Sequence, residues 1–150
     1  MVGTENEIVI ERPVAAVWPY VGRPAQWHTW RGAMKGPVEK VDQVEAIKIG
    51  DDYRYESEFL GRQIETVLEV AEYEPDECIG LIMRSGPIAG ELVFRCQAIE
   101  GGTRVVQESS IDASGFFDIA EPLLKPLLHR QFQNDLKALK ELVEGTVSPE

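Results

Sequence analysis

The sequence predicts an α+β fold in which an antiparallel sheet packs against one long C-terminal helix. Residues 8–11 are typical of a strand, and a helix is predicted to follow over residues 14–21. Between residues 38 and 113, β-branched and aromatic residues alternate with charged ones, and turn residues recur, which indicates an antiparallel meander of six strands. Between residues 120 and 143, apolar residues recur at three- and four-residue steps, which indicates an amphipathic helix.

Proline and tryptophan positions predict the two short helices before the meander. Pro13 stands at the start of the first helix, where a missing backbone donor is tolerated. A second short helix or turn contains Trp27 and Trp30, which share one helical face at this spacing. We expect Trp30 to border a pocket, Trp27 to pack in the core and His28 to point away.

Turn residues predict the register of the meander. We take Gly61-Arg62 and Gly101-Gly102 as two-residue hairpin loops, and Pro75 as the start of a third turn. These registers place apolar or neutral side chains on the inward face of the sheet. The predicted inward pairs are Phe59 with Ile64, Ser57 with Thr66, Tyr55 with Leu68, Tyr53 with Val70, Val70 with Leu81, Leu68 with Met83, Ala98 with Val105, Cys96 with Gln107, Phe94 with Ser109 and Leu92 with Ile111. The predicted outward pairs are Arg54 with Glu69, Glu58 with Glu65 and Arg95 with Glu108.

The same registers separate the two cysteines. A slip of one residue between the fifth and sixth strands would set Cys78 opposite Cys96, but it would also turn one strand over. We therefore expect Cys78 to face outward, Cys96 to face inward, and no disulfide between them.

The C-terminal helix contains two prolines near its start. Pro122 and Pro126 each remove a backbone donor, so we expect a bend or a short separate turn before about Leu127. Gly145 is a candidate C-terminal cap. The chain is predicted to form one domain over residues 1–145, followed by a short tail at 146–150.

Composition limits the classes of partner. The chain has 15 basic and 26 acidic residues and a net charge of −11, which opposes binding to nucleic acid. No apolar stretch is long enough to cross a bilayer, so stable membrane insertion is not expected, and residues 1–13 lack a secretory signal pattern, which favours the cytoplasm. With 2 cysteines and 2 histidines outside any ligand spacing, we expect no metal and no cofactor.

Four stretches resemble one known superfamily. They are residues 8–18, the run Trp27-His28-Thr29-Trp30, and residues 101–105 and 136–142. In these stretches, and over essentially the whole chain, the sequence resembles the SRPBCC (START and birch-pollen-allergen) superfamily, most closely its polyketide cyclase/dehydrase-like branch. The resemblance implies a helix-grip fold, with a seven-stranded curved sheet wrapped around the C-terminal helix and an apolar pocket between them.

Inward alternation and the implied pocket together give a set of candidate ligand-binding residues. Most are apolar, with neutral hydrogen-bonding groups among them, which is the usual chemistry of a small-molecule site. The candidates are Trp30, Tyr53, Tyr55, Ser57, Phe59, Thr66, Leu68, Leu81, Met83, Phe94, Gln107, Ser109, Phe117, Leu124 and Leu128.

Each candidate also has a purely structural interpretation. The aromatic residues could fill a solid core, and Gln107 and Ser109 could be satisfied by water. His28 and His129 are more typical of surface or rim positions than of catalytic bases, because no carboxylate lies at motif spacing.

Three functions are therefore open, and binding of a small hydrophobic molecule such as a lipid, polyketide or aromatic compound is favoured. A cyclase or dehydratase could use the same cavity, but the predicted inward face carries no Asp, Glu, His or Lys. A protein-interaction module such as a chaperone activator is the third possibility. The chain is expected to be a monomer or a homodimer, with no catalytic residue assigned.

Overall fold

A computed structural model of the chain, describing residues 1–44 and 46–146, has one seven-stranded sheet in the order β1-β7-β6-β5-β4-β3-β2, with antiparallel pairing throughout. The predicted sequence of one strand, two short helices, six strands and a long helix is confirmed. The strands are β1 (Val2–Ile10), β2 (Glu39–Lys40), β3 (Asp52–Phe59), β4 (Arg62–Glu74), β5 (Cys78–Ser85), β6 (Ala89–Ile99) and β7 (Gly102–Asp112). The helices are α1 (Val14–Val21), a 3₁₀ helix (Pro24–Thr29), α2 (Ser114–Phe117) and α3 (Glu121–Thr146).

The predicted loops of two hairpins are each wrong by one position. The β3–β4 loop is Leu60-Gly61, with φ angles of 52° and 78°, so Phe59 pairs with Arg62. This loop has the positive φ at both central residues that type I′ turns require. The pairing therefore slips by two residues. The observed inward pairs are Ser57 with Ile64, Tyr55 with Thr66 and Tyr53 with Leu68; on the outer face Glu56 lies opposite Glu65 and Arg54 opposite Val67.

The β6–β7 loop slips in the same way, for a reason that involves β1. Gly101 has a φ of 85°, and Gly102 already belongs to β7, opposite Ile99. A Cβ atom at Gly102 would lie 2.1 Å from the Ile10 carbonyl oxygen, so this glycine permits the close approach of β1. The observed inward pairs are Ala98 with Thr103, Cys96 with Val105, Phe94 with Gln107 and Leu92 with Ser109. Because each slip is by two residues, every side chain keeps its predicted face.

The other two hairpin registers agree with prediction. Leu81 lies opposite Val70, with a bulge between Val70 and Glu72. Cys78 lies opposite Arg95, and both cysteines are free. Cys96 belongs to the inner core, whereas Cys78 lies on the outer face but is covered by its neighbours and only 5% exposed. Burial raises the pKa of Cys78 and raises the pKa of Cys96 to about 12, so both favour the neutral thiol.

The predicted interruption before the long helix lies earlier than its prolines. The one-turn helix α2 ends at Asp118, which has a φ of 57°, and α3 then begins at Glu121. Pro122 lies in the first turn of α3, where proline is tolerated, and Pro126 lies inside the helix. Gly145 also lies inside α3, so the predicted cap at this position is wrong. Most of the predicted tail, residues 147–150, lies outside the described part of the chain.

Two clusters of buried side chains divide the space between the sheet and α3. The C-terminal half of α3 packs with α1 and the 3₁₀ helix against the sheet, where Leu136, Leu139 and Val143 are fully buried. The N-terminal half of α3 packs with α2 in a second cluster that includes Leu128 and Phe132. Apolar burial on both halves of α3 therefore holds the sheet and helix together.

The first cluster gives a test of how much α3 contributes to stability. Leu136→Ala is expected to lower the free energy of unfolding by about 2–5 kcal/mol, because the side chain is 0% exposed. Leu123→Ala on the same helix removes a side chain that is 68% exposed, and should change stability by no more than about 0.5 kcal/mol. Urea unfolding of both variants is the measurement, and equal losses would contradict the packing described here.

Candidate ligand cavity

The second cluster surrounds a cavity of about 80 Å³. Strands β3 to β7 supply one wall, and α3 supplies the other, with α2 closing one end. Most of the lining is apolar, and its main apolar residues are Phe59, Ile64, Met83, Ile111, Phe117 and Phe132. The arrangement is a mainly apolar space with a small number of polar groups, as small-molecule sites usually have.

Part of the predicted set of candidates lines this cavity. The polar members are Tyr55, Ser57 and Thr66, all of them nearly buried. Burial raises the pKa of Tyr55, so its hydroxyl stays neutral and can donate a hydrogen bond. The apolar members are Phe59, Met83, Phe117 and Leu128. Whether these residues touch a ligand stays a prediction.

The remaining candidates lie elsewhere in the core. Trp27 and Trp30 both pack edge-on against Phe94, with ring centres 5.3 and 5.5 Å from it, so this part of the interior is filled. The alternation of residue types correctly predicted which face of the sheet each strand residue occupies. It does not show at which position along the strands the interior is left empty. The candidates that do not line the cavity are Trp30, Tyr53, Leu68, Leu81, Phe94, Gln107, Ser109 and Leu124.

Tyr53 instead borders a wider groove of about 650 Å³ at the surface, which Lys40 and Tyr73 also line. Burial and the nearby Asp51 raise the pKa of Tyr53 to about 12. The groove is larger than the cavity, but its lining is mixed in polarity, so the mainly apolar cavity fits an apolar ligand better.

The polar residues Ser109 and Gln107 of the inward face differ in whether their side chains have hydrogen-bond partners. The hydroxyl oxygens of Ser109 and Thr4 lie 2.6 Å apart, which supplies the polar partner expected for Ser109. Gln107 is 0% exposed, and within the described residues neither its nitrogen nor its oxygen has a hydrogen-bond partner. The side chains of His28 and His129 lie outside the cavity lining.

The charged groups at the cavity, Arg31 and Asp135, were not predicted from the sequence. Arg31 follows the 3₁₀ helix and lines the cavity together with Gln131 of α3. Asp135, one turn further along α3, is only 3% exposed. Its Oδ1 accepts hydrogen bonds from the Gly32 backbone N–H and from Gln131 Nε2, each at 2.9 Å. The spacing of Gln131 and Asp135 on one helical face was the available signal, but polar residues on a helix are usually solvated.

Arg31 and Asp135 form a loose buried ion pair. The distance from Arg31 Nε to Asp135 Oδ2 is 4.0 Å, which is too long for a hydrogen bond. The Arg31 guanidinium lies over the Trp27 ring at 5.2 Å and over the Phe94 ring at 5.5 Å. Burial raises the pKa of Asp135, and the charge of Arg31 acts in the opposite direction. One side of the otherwise apolar cavity therefore has a positive and a negative group whose charges partly neutralise each other.

The tip of the β3–β4 hairpin closes the other side. Phe59 and Phe117 meet edge to face with ring centres 5.6 Å apart. Arg62 Nη1 donates to the Phe116 carbonyl, and the guanidinium lies 4.1 Å from the centre of the Phe116 ring. The hairpin tip is thereby attached to α2.

Comparison with known proteins identifies the family. A family model described as "Polyketide cyclase / dehydrase and lipid transport" matches residues 1–144. The chain belongs to this family. The resemblance found in the sequence is thereby confirmed. No curated protein matches the sequence.

Solved structures of other proteins show the same fold at low sequence identity. A Thermus thermophilus protein is 18% identical with a TM-score of 0.77, and the match covers 97% of this chain and 99% of that one. A START superfamily protein from Mycobacterium smegmatis is 14% identical with a TM-score of 0.77, over 97% and 99% of the two chains. A Polyketide_cyc-like protein from Corynebacterium glutamicum is 18% identical with a TM-score of 0.62, over 98% and 94%. At these identities the likeness establishes the helix-grip fold alone.

The described part of the chain contains neither a candidate metal cluster nor a candidate membrane-spanning helix. Residues 1–44 and 46–146 contain no cluster of His, Cys, Asp or Glu that could hold a metal ion. Over the same residues, no helix has the length and apolar character to span a bilayer.

The buried acid gives a test of the polar side of the cavity. Asp135→Ala should lower the free energy of unfolding by about 3–5 kcal/mol, because Arg31 then remains buried without its counter-charge. Glu141→Ala removes an exposed acid from the same helix and should cost no more than about 0.5 kcal/mol. Thermal and urea unfolding measure both. If the two variants are equally stable, Asp135 does not compensate Arg31.

Proposed function

We propose that this protein binds or carries a small hydrophobic molecule in the cavity between the sheet and α3. The observation that carries the proposal is the apolar cavity, in which Tyr55, Ser57 and Thr66 are the neutral hydrogen-bonding groups of the sheet wall. Apolar area removed from water would supply affinity at roughly 25 cal/mol per Å², less the cost of ordering the ligand. The family description, which includes lipid transport, supports the same class of ligand.

The size of the cavity restricts the ligand. A volume of about 80 Å³ is well below the roughly 300–1,000 Å³ of pockets for drug-sized molecules. The ligand is therefore small, or wall side chains move when it binds. Met34 and Met83 both line the cavity, and methionine side chains change conformation at low cost because they are unbranched.

A cyclase or dehydratase activity is less well supported. Among the described lining residues there is no Asp, Glu, His, Lys or Cys, so the usual general acids, bases and nucleophiles do not face the cavity. Tyr55 could polarise a carbonyl as a neutral donor, but no base is placed to work with it. Catalysis would require an acid, base or nucleophile in the cavity lining, whereas binding without turnover does not.

An interaction module is also less well supported. Charged side chains on the outer face of the sheet pair with each other, as Arg84 does with Asp52 and Glu69, each at 3.6 Å. Paired charges of this kind are less suited to a stable partner than a contiguous apolar patch would be. The cytoplasm, the absence of a nucleic-acid partner and a monomeric or homodimeric state remain predictions from composition, and so does the division into residues 1–145 and a tail.

Native mass spectrometry of freshly purified protein, followed by denaturing extraction, tests the binding function. We expect a discrete adduct that Ser57→Leu removes, because Ser57 lines the cavity and the larger side chain fills it. Ser110→Leu on the outer face of β7 is the matched control and should keep the adduct, since Ser110 is not part of the lining.

Two results would contradict the proposed function. One is a protein without adduct that also fails to bind a panel of small apolar ligands in solution. The other is an adduct that Ser57→Leu and Ser110→Leu reduce equally, since this would place the bound molecule elsewhere. Circular dichroism of both variants shows whether they keep the fold.

A further inference from the structure

We propose that the ligand carries a carboxylate, and that Arg31 binds this group at the polar side of the cavity. The inference rests on the proposed function, because it names the chemical class of the molecule that the cavity holds. The ligand class is therefore a small monocarboxylic acid with an apolar ring or chain.

Arg31 has hydrogen-bonding capacity that the protein does not use. It lines the cavity and is only 8% exposed, yet Nε and Nη1 have no hydrogen-bond partner among the described residues. A buried donor without a partner is destabilising, and more so when the donor is charged. A ligand with an acceptor group would recover this loss when it binds.

Asp135 leaves that capacity free, although it forms an ion pair with Arg31. Its Oδ2 lies 4.0 Å from Arg31 Nε, while its Oδ1 is engaged by the backbone of Gly32 and by Gln131. Asp135 therefore reduces the electrostatic cost of burying Arg31 without saturating its donors.

The guanidinium is also held in position. The Trp27 and Phe94 rings lie 5.2 and 5.5 Å from it, and the Arg31 backbone N–H donates to the Trp27 carbonyl at 2.8 Å. A planar guanidinium fixed in this way can donate a charge-assisted hydrogen bond from Nε or Nη1 to a ligand carboxylate, and little side-chain freedom remains to be lost.

The other wall residues favour an acid with an apolar body. The positive charge of Arg31 acts at the Tyr55 hydroxyl, on the cavity wall, where it opposes the rise in pKa that burial causes. No Asp or Glu occurs among the described lining residues, so a ligand carboxylate meets no like charge in the wall itself. Opposite, the lining is formed by phenylalanine, isoleucine and methionine side chains, which suit a ring or a short chain.

Isothermal titration calorimetry with matched acids and amides tests the inference. The probes are phenylacetate with phenylacetamide and octanoate with octanamide, since each pair has the same shape and differs in charge. Protein freed of bound molecules should bind at least one acid about tenfold or more tightly than its amide, because hydrogen bonds between charged groups are roughly twice as strong as neutral ones. Arg31→Met should abolish this preference, and Arg84→Met, which alters an arginine on the outer face, should keep it.

A spectroscopic measurement covers the case in which Arg31→Met does not fold. In ¹⁵N-labelled wild-type protein, the arginine Nε–H resonance of Arg31 should shift on addition of phenylacetate or octanoate and stay unchanged with the amides. Equal affinities for acid and amide, or a preference retained in Arg31→Met, would overturn the carboxylate inference while leaving the apolar site intact. If neither pair binds and a panel of neutral apolar ligands also fails to bind, the proposed function is overturned with it.

Discussion

The packing of Trp27 and Trp30 against Phe94 determines where this protein has room for a ligand. The two indoles meet the same phenylalanine ring edge-on, and their N–H groups donate to the Val21 and Tyr20 carbonyls at 2.9 and 3.0 Å. These buried indoles, with their donors satisfied, help to fill one half of the space between sheet and helix. The empty space is thereby confined to the other half, next to the N-terminal part of α3. The Trp27 and Phe94 rings also lie against the Arg31 guanidinium, so the filled core and the charged side of the cavity share these two rings.

A buried ion pair beside an apolar cavity has a thermodynamic consequence. Replacing such a pair by apolar residues of similar volume is often neutral or stabilising, because both charges must be removed from water. Stability alone therefore gives little reason for Arg31 and Asp135 to be present. Asp135 does have a structural role, since it accepts the Gly32 N–H and so ties the chain after the 3₁₀ helix to α3. Arg31, with two unpartnered nitrogens, has no equivalent structural role among the described residues.

The fold was largely predictable because strands and helices have periodic patterns of apolar residues. The cavity has no such pattern in the sequence. Both hairpin loops were misplaced by one position, yet Tyr55 and Ser57 still faced inward, since a slip of two residues preserves the face. The position of the cavity along the strands depends on the volumes of side chains that come from distant segments of the chain. The alternation of residue types does not contain this information. Arg31 lies in an irregular segment between the 3₁₀ helix and β2, where no period applies. Asp135 was missed because an acid on a helix is normally exposed, and its burial depends on contacts with Gly32 and Arg31 that helix periodicity does not show.

The contacts at the two ends of the cavity differ in strength. At the polar end, Arg31 and Asp135 are buried, and moving either one would expose or isolate a charge in a medium of low dielectric constant. At the hairpin end, Arg62 is exposed, and a cation–π contact at an exposed site contributes only about 0.5–1 kcal/mol. Rearrangement of the cavity therefore costs least where the hairpin tip meets α2, because there the bonds broken can be replaced by bonds to water. It follows that a ligand larger than the present volume would be accommodated on that side, while its polar group stays fixed at Arg31.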